Sequence, residues 1–394
     1  SGPREKVLRS RRSLTARYLT GDLSVPVPDR RRLDADGRRT DGEEASWLVL
    51  EGCREHNLRD LTVRLPVEAL VCITGPSGSG KSTLLQDLLF PALLRRVHDA
   101  DVPVGRLRAL RGWEQFRSVS LLDQSPIGQS PRSNPATYIG VLARIREFFA
   151  SLPEARVRGF TPGHFSFNKP GGRCEECAGM GARLVQMHFL PDVWVTCEEC
   201  GGRRFKPEVL AVRYRGRNIA DVLEMTIAEA AELFENFPRV ARPLRLLGDM
   251  GLDYLPLGQA APTLSGGEAQ RMKIARELMQ WTHGSVIYLL DEPTTGLHPA
   301  DIVKLLRMLN RLVDEGNTVV VIEHNMDLVK NADWVIDLGP GGGDEGGRLV
   351  AEGPPEAVAQ SADSPTAPFL RRALGTCERV PREDLTLPST RSGR

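Results

Sequence analysis

The string GPSGSGKS at residues 75–82 admits few backbones. Glycines at 75, 78 and 80 let the chain curl with its N–H groups turned inward, an apolar run precedes the loop, and an apolar helix-forming run follows it. Strand, loop and helix in that order cradle phosphate, because the curled amides and the positive end of the helix face one point. The spacing predicts a strand over 70–74 and a helix over 82–89. Candidate phosphate and metal contacts are Gly75, Gly78, Gly80, Lys81, Ser82 and Thr83, with Lys81 reaching the β- and γ-phosphates of a nucleotide and the Ser82 hydroxyl holding Mg²⁺.

Other strings supply the rest of a nucleotide site. An apolar strand predicted over 286–290 ends in Asp291 and Glu292, placing Asp291 to hold Mg²⁺ through water and Glu292 to act as general base on an attacking water. An acidic pair at a strand end is otherwise a cap or a solvated turn; the phosphate loop upstream favours the chemical reading. A second apolar strand, over 318–322, delivers Glu323 and His324, and His324 is a candidate sensor of the γ-phosphate. Gln124, after a strand over 119–122, would link metal and water to a neighbouring domain. Trp47 and His56 are both in range to stack on a base, and nothing separates them. The string LSGGEAQR at 264–271 sets Ser265, Gly266, Gly267 and Glu268 at a helix start, a second anion site. These motifs resemble the ABC ATPase family, in which that second site closes over the nucleotide of a partner module, so one module alone leaves its catalytic site incomplete. Residues 296–298 fall at the family's inter-module contact loop, with His298 where an aspartate is more usual.

Between the two glycine strings lie Cys174, Cys177, Cys197 and Cys200, two CxxC pairs at the spacing of a four-thiolate structural Zn²⁺ site. Redox CxxC chemistry is the alternative, and the doubling of the pair counts against it. The alternating stretch over 183–195 predicts a hairpin closed at its base by the metal. Basic residues interleaved with Phe205 and Tyr214 follow, and Arg183, Arg203, Arg204, Lys206, Arg213 and Arg215 are candidate contacts to a nucleic-acid backbone, with a solvated strand face as the plainer reading. Cys53, Cys72 and Cys377 belong to no motif.

The 394 residues, 41% hydrophobic and 26% charged, are enough for two or three domains. With a net charge of +1, any polyanion must be held by local patches. No apolar run is long enough to span a bilayer, which predicts a cytoplasmic protein without a membrane partner. Residues 1–20 and 352–371 share nine identities, so 1–27 are expected to be the tail of a preceding, similar module. Residues 28–46, charged and aperiodic, predict a flexible linker. The first part of the ATP-binding domain is assigned to 47–123, an insertion and signature subdomain with its zinc module (174–200) to 124–250, the signature and second part of the ATP-binding domain to 251–361, and a flexible tail to 362–394.

The strings REHNLRDL, DQSPIGQSPRSNPATY, GRCEECAGMG, MHFLPDVWVTCEECGGRRF, LSGGEAQRMKIA, LDEPTTGLHPADI and VIEHNMDLVKNADWVIDLGPGGGDEGG together resemble the C-terminal half of the UvrA family of the bacterial excinuclease over about residues 13–361. The resemblance implies an α/β ABC-type P-loop nucleotide-binding domain with an inserted signature subdomain carrying a four-cysteine zinc hairpin. It also implies an ATPase without a nuclease centre that uses ATP, Mg²⁺ and structural Zn²⁺ to recognise damaged double-stranded DNA in nucleotide excision repair. Its partners would be a second ABC module, either the missing N-terminal half or another copy in a dimer, and a UvrB-like protein that receives the DNA. Paralogues giving self-resistance to DNA-binding antibiotics share the same strings. A transporter ATPase component, which has no use for the cysteine pairs, and a non-hydrolysing scaffold, which has no use for Glu292, are the remaining alternatives.

Overall fold

A computed structural model describes residues 3–10, 12–128, 130, 132–185, 193–280, 284–375 and 379–382. The chain divides into two compact units, residues 1–123 with 282–394, and residues 124–281.

In the first unit the apolar runs build a six-stranded sheet in the order Arg348–Gly353, Trp334–Gly339, Leu70–Thr74, Thr318–Ile322, Val286–Asp291, Ser118–Leu122. All neighbours are parallel except the edge strand Arg348–Gly353, which is antiparallel. The inner strands read as unbroken apolar runs because both faces are covered. The helix Phe90–Val97 packs on Ser118–Leu122, and Pro299–Asp314 packs on Thr318–Ile322 and Leu70–Thr74. A three-stranded antiparallel sheet, Leu61–Pro66, Trp47–Cys53 and Ala109–Arg111, shares the core with the first through Leu48, Leu50, Val63 and Leu65. Thr83–Leu89, predicted as ordinary helix, is wound as a π-helix. Its wider i→i+5 turn keeps Leu84, Leu85, Leu88 and Leu89 all buried, each worth about 1.5–3 kcal/mol of apolar burial.

Parallel pairing decides where the chemistry goes. Ile322 stands opposite both Ile73 and Asp291, and Thr74 opposite Asp337, so the loop after Thr74, Glu292 and His324 all leave the sheet at one edge. Open parallel sheets place their ligand sites at that C-terminal edge.

The second unit is mostly helical. Phe149, Phe165 and Phe234 are fully buried; Phe148 meets Phe149 and Phe234 edge to face, Phe237 meets Phe234 edge to face, and Tyr214 stacks on Phe234. Asn134, Asn218 and Thr226 close capping boxes at three helix starts. The signature helix Gly266–Gln280 packs on Pro238–Asp249 within this unit, so the division falls at 281 instead of 250. The two similar strings near the ends of the first unit carry like local structure: Pro3 and Pro354, both extended, each cap a short helix, and a second helix follows, Leu14–Thr20 in one and Ala367–Gly375 in the other.

Residues 28–46 differ from the expected flexible linker. Arg31 is buried, donates to the Lys330 and Ala332 carbonyls and pairs with Glu356 at 2.9 Å. Arg32 pairs with Asp333 at 2.6 Å, and Arg39 with Glu68 at 2.8 Å. Residues 362–375 and 379–382 differ in the same way from a flexible tail: Ser364 and Thr366 donate to buried Asp337, and Arg382 pairs with Asp333 at 3.1 Å. The expectation for 383–394 and Cys377 lie outside the described residues. Charge-rich segments are usually solvated, but these find carboxylates far away in sequence.

Asp333 is the meeting point. It is fully buried and also accepts the N–H of Leu70, which opens the central strand. Burial would raise its pKa, but Arg32, Arg382 and the N–H groups of Leu70 and Arg32 outweigh that and hold it well below the usual carboxylate range. Asp333→Asn leaves two buried guanidinium groups poorly compensated and is expected to lower stability by about 3–5 kcal/mol at neutral pH in a denaturant titration. A depressed folded pKa stabilises above the unfolded carboxylate value of about 3.9, so the parent should lose its advantage over the variant as pH falls through and below that value. Equal stability at pH 7 would contradict this role.

Candidate functional site

The strand Leu70–Thr74 runs straight into the glycine loop, and the loop shares a pocket of about 240 Å³ with residues from two other strand ends. Ser77, Gly78, Gly80, Lys81, Ser82 and Thr83 line it, together with Asn57, Glu292 and His324. Lys81 Nζ donates to the carbonyls of Gly75 at 3.0 Å and Pro76 at 2.7 Å, so its ammonium is held over the loop. Burial lowers its pKa, against the opposing pull of Glu292, Asp337 and Asp291.

Asp291 ends its strand half-buried, its pKa raised by burial and then by the neighbouring Glu292, and Gln86 Nε2 donates to its Oδ2 at 2.8 Å. Glu292 follows with φ 45°, a left-handed backbone that a non-glycine residue takes only when its surroundings impose it. Its N–H donates to the Ile322 carbonyl at 3.0 Å, which locks that conformation to the adjacent strand end. Glu292 Oε1 lies 3.6 Å from His324 Nε2, with both side chains about half exposed. Such an acid, an imidazole and an ammonium around one pocket are equipped to hold a polyphosphate and to activate a water beside it.

Glu323, paired with His324 in the sequence reading, does a different job. It is buried, and its carboxylate accepts the N–H groups of Thr294, His324 and Asn325 at 2.8–2.9 Å, organising the turn from which His324 projects. Trp47 is committed to the fold: it meets Trp334 edge-on at 5.4 Å and lies under Arg64. His56 is exposed, 3.6 Å from Asp87. Asn57 lies within the string REHNLRDL, but neither its residue type nor its spacing gives it a role there. Gln86 escaped the sequence reading for a different reason, since the π-helical winding behind the loop carries no pattern of its own.

In the second unit Ser265 and Glu268 form a reciprocal cap. The Ser265 N–H donates to Glu268 Oε2 at 2.7 Å and the Glu268 N–H to Ser265 Oγ at 3.3 Å, while Tyr254 Oη donates to the other carboxylate oxygen at 2.5 Å. Gly266 and Gly267 open the helix that this cap starts. Gln124 is the first residue of this unit, and its side chain lies against Gly266.

The four cysteines converge. Their sulfurs all lie within 4.8 Å of one another, and Cys177 Sγ and Cys200 Sγ are 3.8 Å apart. Tetrahedral zinc with Zn–S bonds of about 2.3 Å needs sulfur separations of about 3.8 Å, so the donor set fits that ion. The Gly181 N–H donates to Cys177 Sγ at 3.2 Å, and the strands Ala182–Val185 and Val193–Thr196 pair antiparallel above the cluster. The hairpin's tip lies outside the described residues.

The basic candidates differ in their surroundings. Arg204 is turned inward over Phe167, with Nη2 3.4 Å from the Gly258 carbonyl, and burial lowers its pKa against the pull of Cys177 and Cys200. It is no surface cation. Arg183 pairs with Glu176, Arg213 with Asp221 at 3.8 Å and Arg215 with Glu235 at 3.4 Å. Arg203 is exposed and Lys206 half-buried. Among the described residues no helix is long and apolar enough to cross a membrane.

Residues 205–295 match the model of a family described as ABC transporter. The chain is 56% identical over 379 residues to UvrABC system protein A of Thermus thermophilus, covering 96% of this chain and 39% of that protein. Against UvrABC system protein A of Escherichia coli the identity is 51% over 374 residues, covering 95% of this chain and 39% of that protein. The crystal structure of UvrA2 from Deinococcus radiodurans superimposes with a TM-score of 0.85 and 47% identity, over 95% of this chain and 44% of that one. The chain thus spans about two-fifths of the length of the curated relatives it matches.

The cysteine geometry carries a direct test. Purified protein is expected to hold one zinc ion per chain by elemental analysis, and Cys197→Ser to lose it and expose 174–200 to limited proteolysis. A metal-free parent with an intact hairpin would refute the zinc assignment.

Proposed function

The chain is a homologue of part of UvrA, within the ABC ATPase family, and on that premise we propose that it is half of an ATP-driven sensor of damaged double-stranded DNA in nucleotide excision repair. The observation that carries the reading is the convergence of Lys81, Glu292 and His324 on the pocket of the glycine loop.

In this proposal the loop amides and Lys81 bind the β- and γ-phosphates of ATP, and Ser82, Thr83 and Asp291 are the residues that would hold Mg²⁺. The ion, when bound, offsets phosphate charge. Glu292 takes a proton from the attacking water, and its carboxylate is already set at the pocket by the strained backbone beneath it. His324, held 3.6 Å from that carboxylate, senses the γ-phosphate, and the products are ADP and phosphate. Ser265, Gly266, Gly267 and Glu268 serve the nucleotide of a second module, in which a helix start with a pre-formed cap offers its amides to phosphate. Nucleotide-dependent closure of paired modules reshapes the DNA-binding surface, to which the zinc hairpin contributes, and DNA then passes to a UvrB-like partner. Incision belongs to other proteins.

Glu292→Gln keeps the side chain's size and removes the base, so turnover is expected to fall by about 10²–10⁴-fold with ATP still bound. Parent-like turnover in a phosphate-release assay would remove Glu292 from that role. The DNA reading is checked separately, by titrating intact and lesion-containing duplexes of equal length across a salt series with and without ATP. Nucleotide-dependent preference for the lesion is expected, against a shallow salt slope because Arg183, Arg213 and Arg215 are already paired. Equal binding to both duplexes would exclude a damage sensor.

A further inference from the structure

A third glycine-rich string, GPGGGDEGG at 339–347, is absorbed by none of the roles above. The structure lays it directly against the phosphate loop. The Gly343 N–H donates to the Gly78 carbonyl at 3.0 Å and the Gly347 N–H to the Ser79 carbonyl at 3.1 Å, so the two loops are joined backbone to backbone. The approach is too close for side chains: a Cβ at Gly342 would run into the Ser77 carbonyl, and one at Gly347 into the Asn57 carbonyl. Asn57 bridges the pair, its Nδ2 donating to the Gly78 carbonyl at 2.8 Å and to the Gly343 carbonyl at 3.2 Å. The Arg59 N–H ties the far end by donating to the Gly347 carbonyl at 3.0 Å, and the Arg59 guanidinium donates to the Asp344 carbonyl.

The consequence follows from the geometry of a trans peptide, in which C=O and the next N–H point in opposite directions. With the Ser79 carbonyl pinned towards the second loop, the Gly80 N–H must face the other way, on the side where Gly78, Gly80 and Lys81 line the pocket. Two carbonyls that would otherwise be free to swing towards incoming phosphate are thereby held out of its way. On the reading that this pocket binds nucleotide phosphate, we infer that Asn57 and the 341–347 loop are a brace that pre-sets the phosphate loop, with Asn57 a positioning residue acting through the Gly78 carbonyl. Lys81 does not duplicate this role, since its own bonds go to Gly75 and Pro76. A pre-set loop binds more tightly because its ordering cost is met before the ligand arrives.

The test uses the 394-residue chain and two probes, ADP and inorganic tripolyphosphate, each competed against a fluorescent nucleotide. Asn57→Ala is expected to weaken both probes by the same factor, about tenfold, the loss of roughly one hydrogen bond's worth of pre-organisation. Asn57→Asp, nearly the same shape but unable to donate to the two carbonyls, is expected to lose at least as much. Amide exchange across 341–347 should speed up in Asn57→Ala while the melting temperature of the ligand-free protein stays within about 2 °C of the parent. Unchanged affinity overturns the inference. So does a loss confined to ADP, which would make Asn57 a contact to base or ribose, and so does a matching fall in melting temperature in both variants, which would make it merely structural. If the parent binds neither probe, the phosphate reading itself fails and the brace with it.

Discussion

A strand buried on both faces cannot leave its first amide without a partner, and in the central strand Leu70–Thr74 that partner is a carboxylate. Asp333 accepts the Leu70 N–H from a site with no solvent, so it needs counter-charge, and the chain supplies it from both ends: Arg32 from the segment before the sheet and Arg382 from the segment after it. One hydrogen bond at the root of the sheet therefore recruits two segments that lie hundreds of residues apart. It also sets the position from which the phosphate loop departs, because Thr74 is only four residues beyond Leu70.

The opposite end of the same strand works by a different device. There the backbone itself does the holding, with Gly78 and Ser79 accepting from Gly343 and Gly347, and with Glu292 forced into a left-handed conformation by its bond to Ile322. Such strain persists only where the surroundings over-determine it, and parallel pairing of three strands with aligned ends is what over-determines it here. The sheet register and the strained glutamate are one fact seen at two scales.

What could be read from the sequence was whatever is encoded locally. The loop 75–82, the acid pair after an apolar run and the paired cysteines each carry their chemistry within a few residues, and the structure brings Lys81, Glu292 and His324 to one pocket and the four sulfurs to one cluster. Long-range pairing was not legible. Residues 28–46 look like a linker by composition, yet Arg31 and Arg32 are placed by carboxylates and carbonyls that no local pattern announces. Arg204 was misread for the same reason: a cation beside an aromatic in sequence suggests a surface, whereas its neighbours in space are Phe167, the Gly258 carbonyl and the cysteine sulfurs. Asn57 is silent in sequence because its partners are carbonyls, and a carbonyl has no residue type.

The neutral charge balance takes on meaning from these pairings. With 52 basic and 51 acidic residues, a chain can either segregate charge into opposed fields or neutralise it locally, and the arginines named here take the second course. Arg213 pairs with Asp221, while Arg215 and Arg217 line a groove whose five carboxylates, Asp221, Glu224, Glu229, Glu232 and Glu235, outnumber them and would repel a phosphate backbone. The hairpin above the cysteine cluster is built otherwise: Leu184, Val185, Val193, Trp194 and Val195 are all exposed on strands whose base the four sulfurs hold together. Apolar side chains gain nothing from an intact, charged duplex surface but gain wherever stacked bases are opened to them, by the same transfer of apolar area out of water that builds the core.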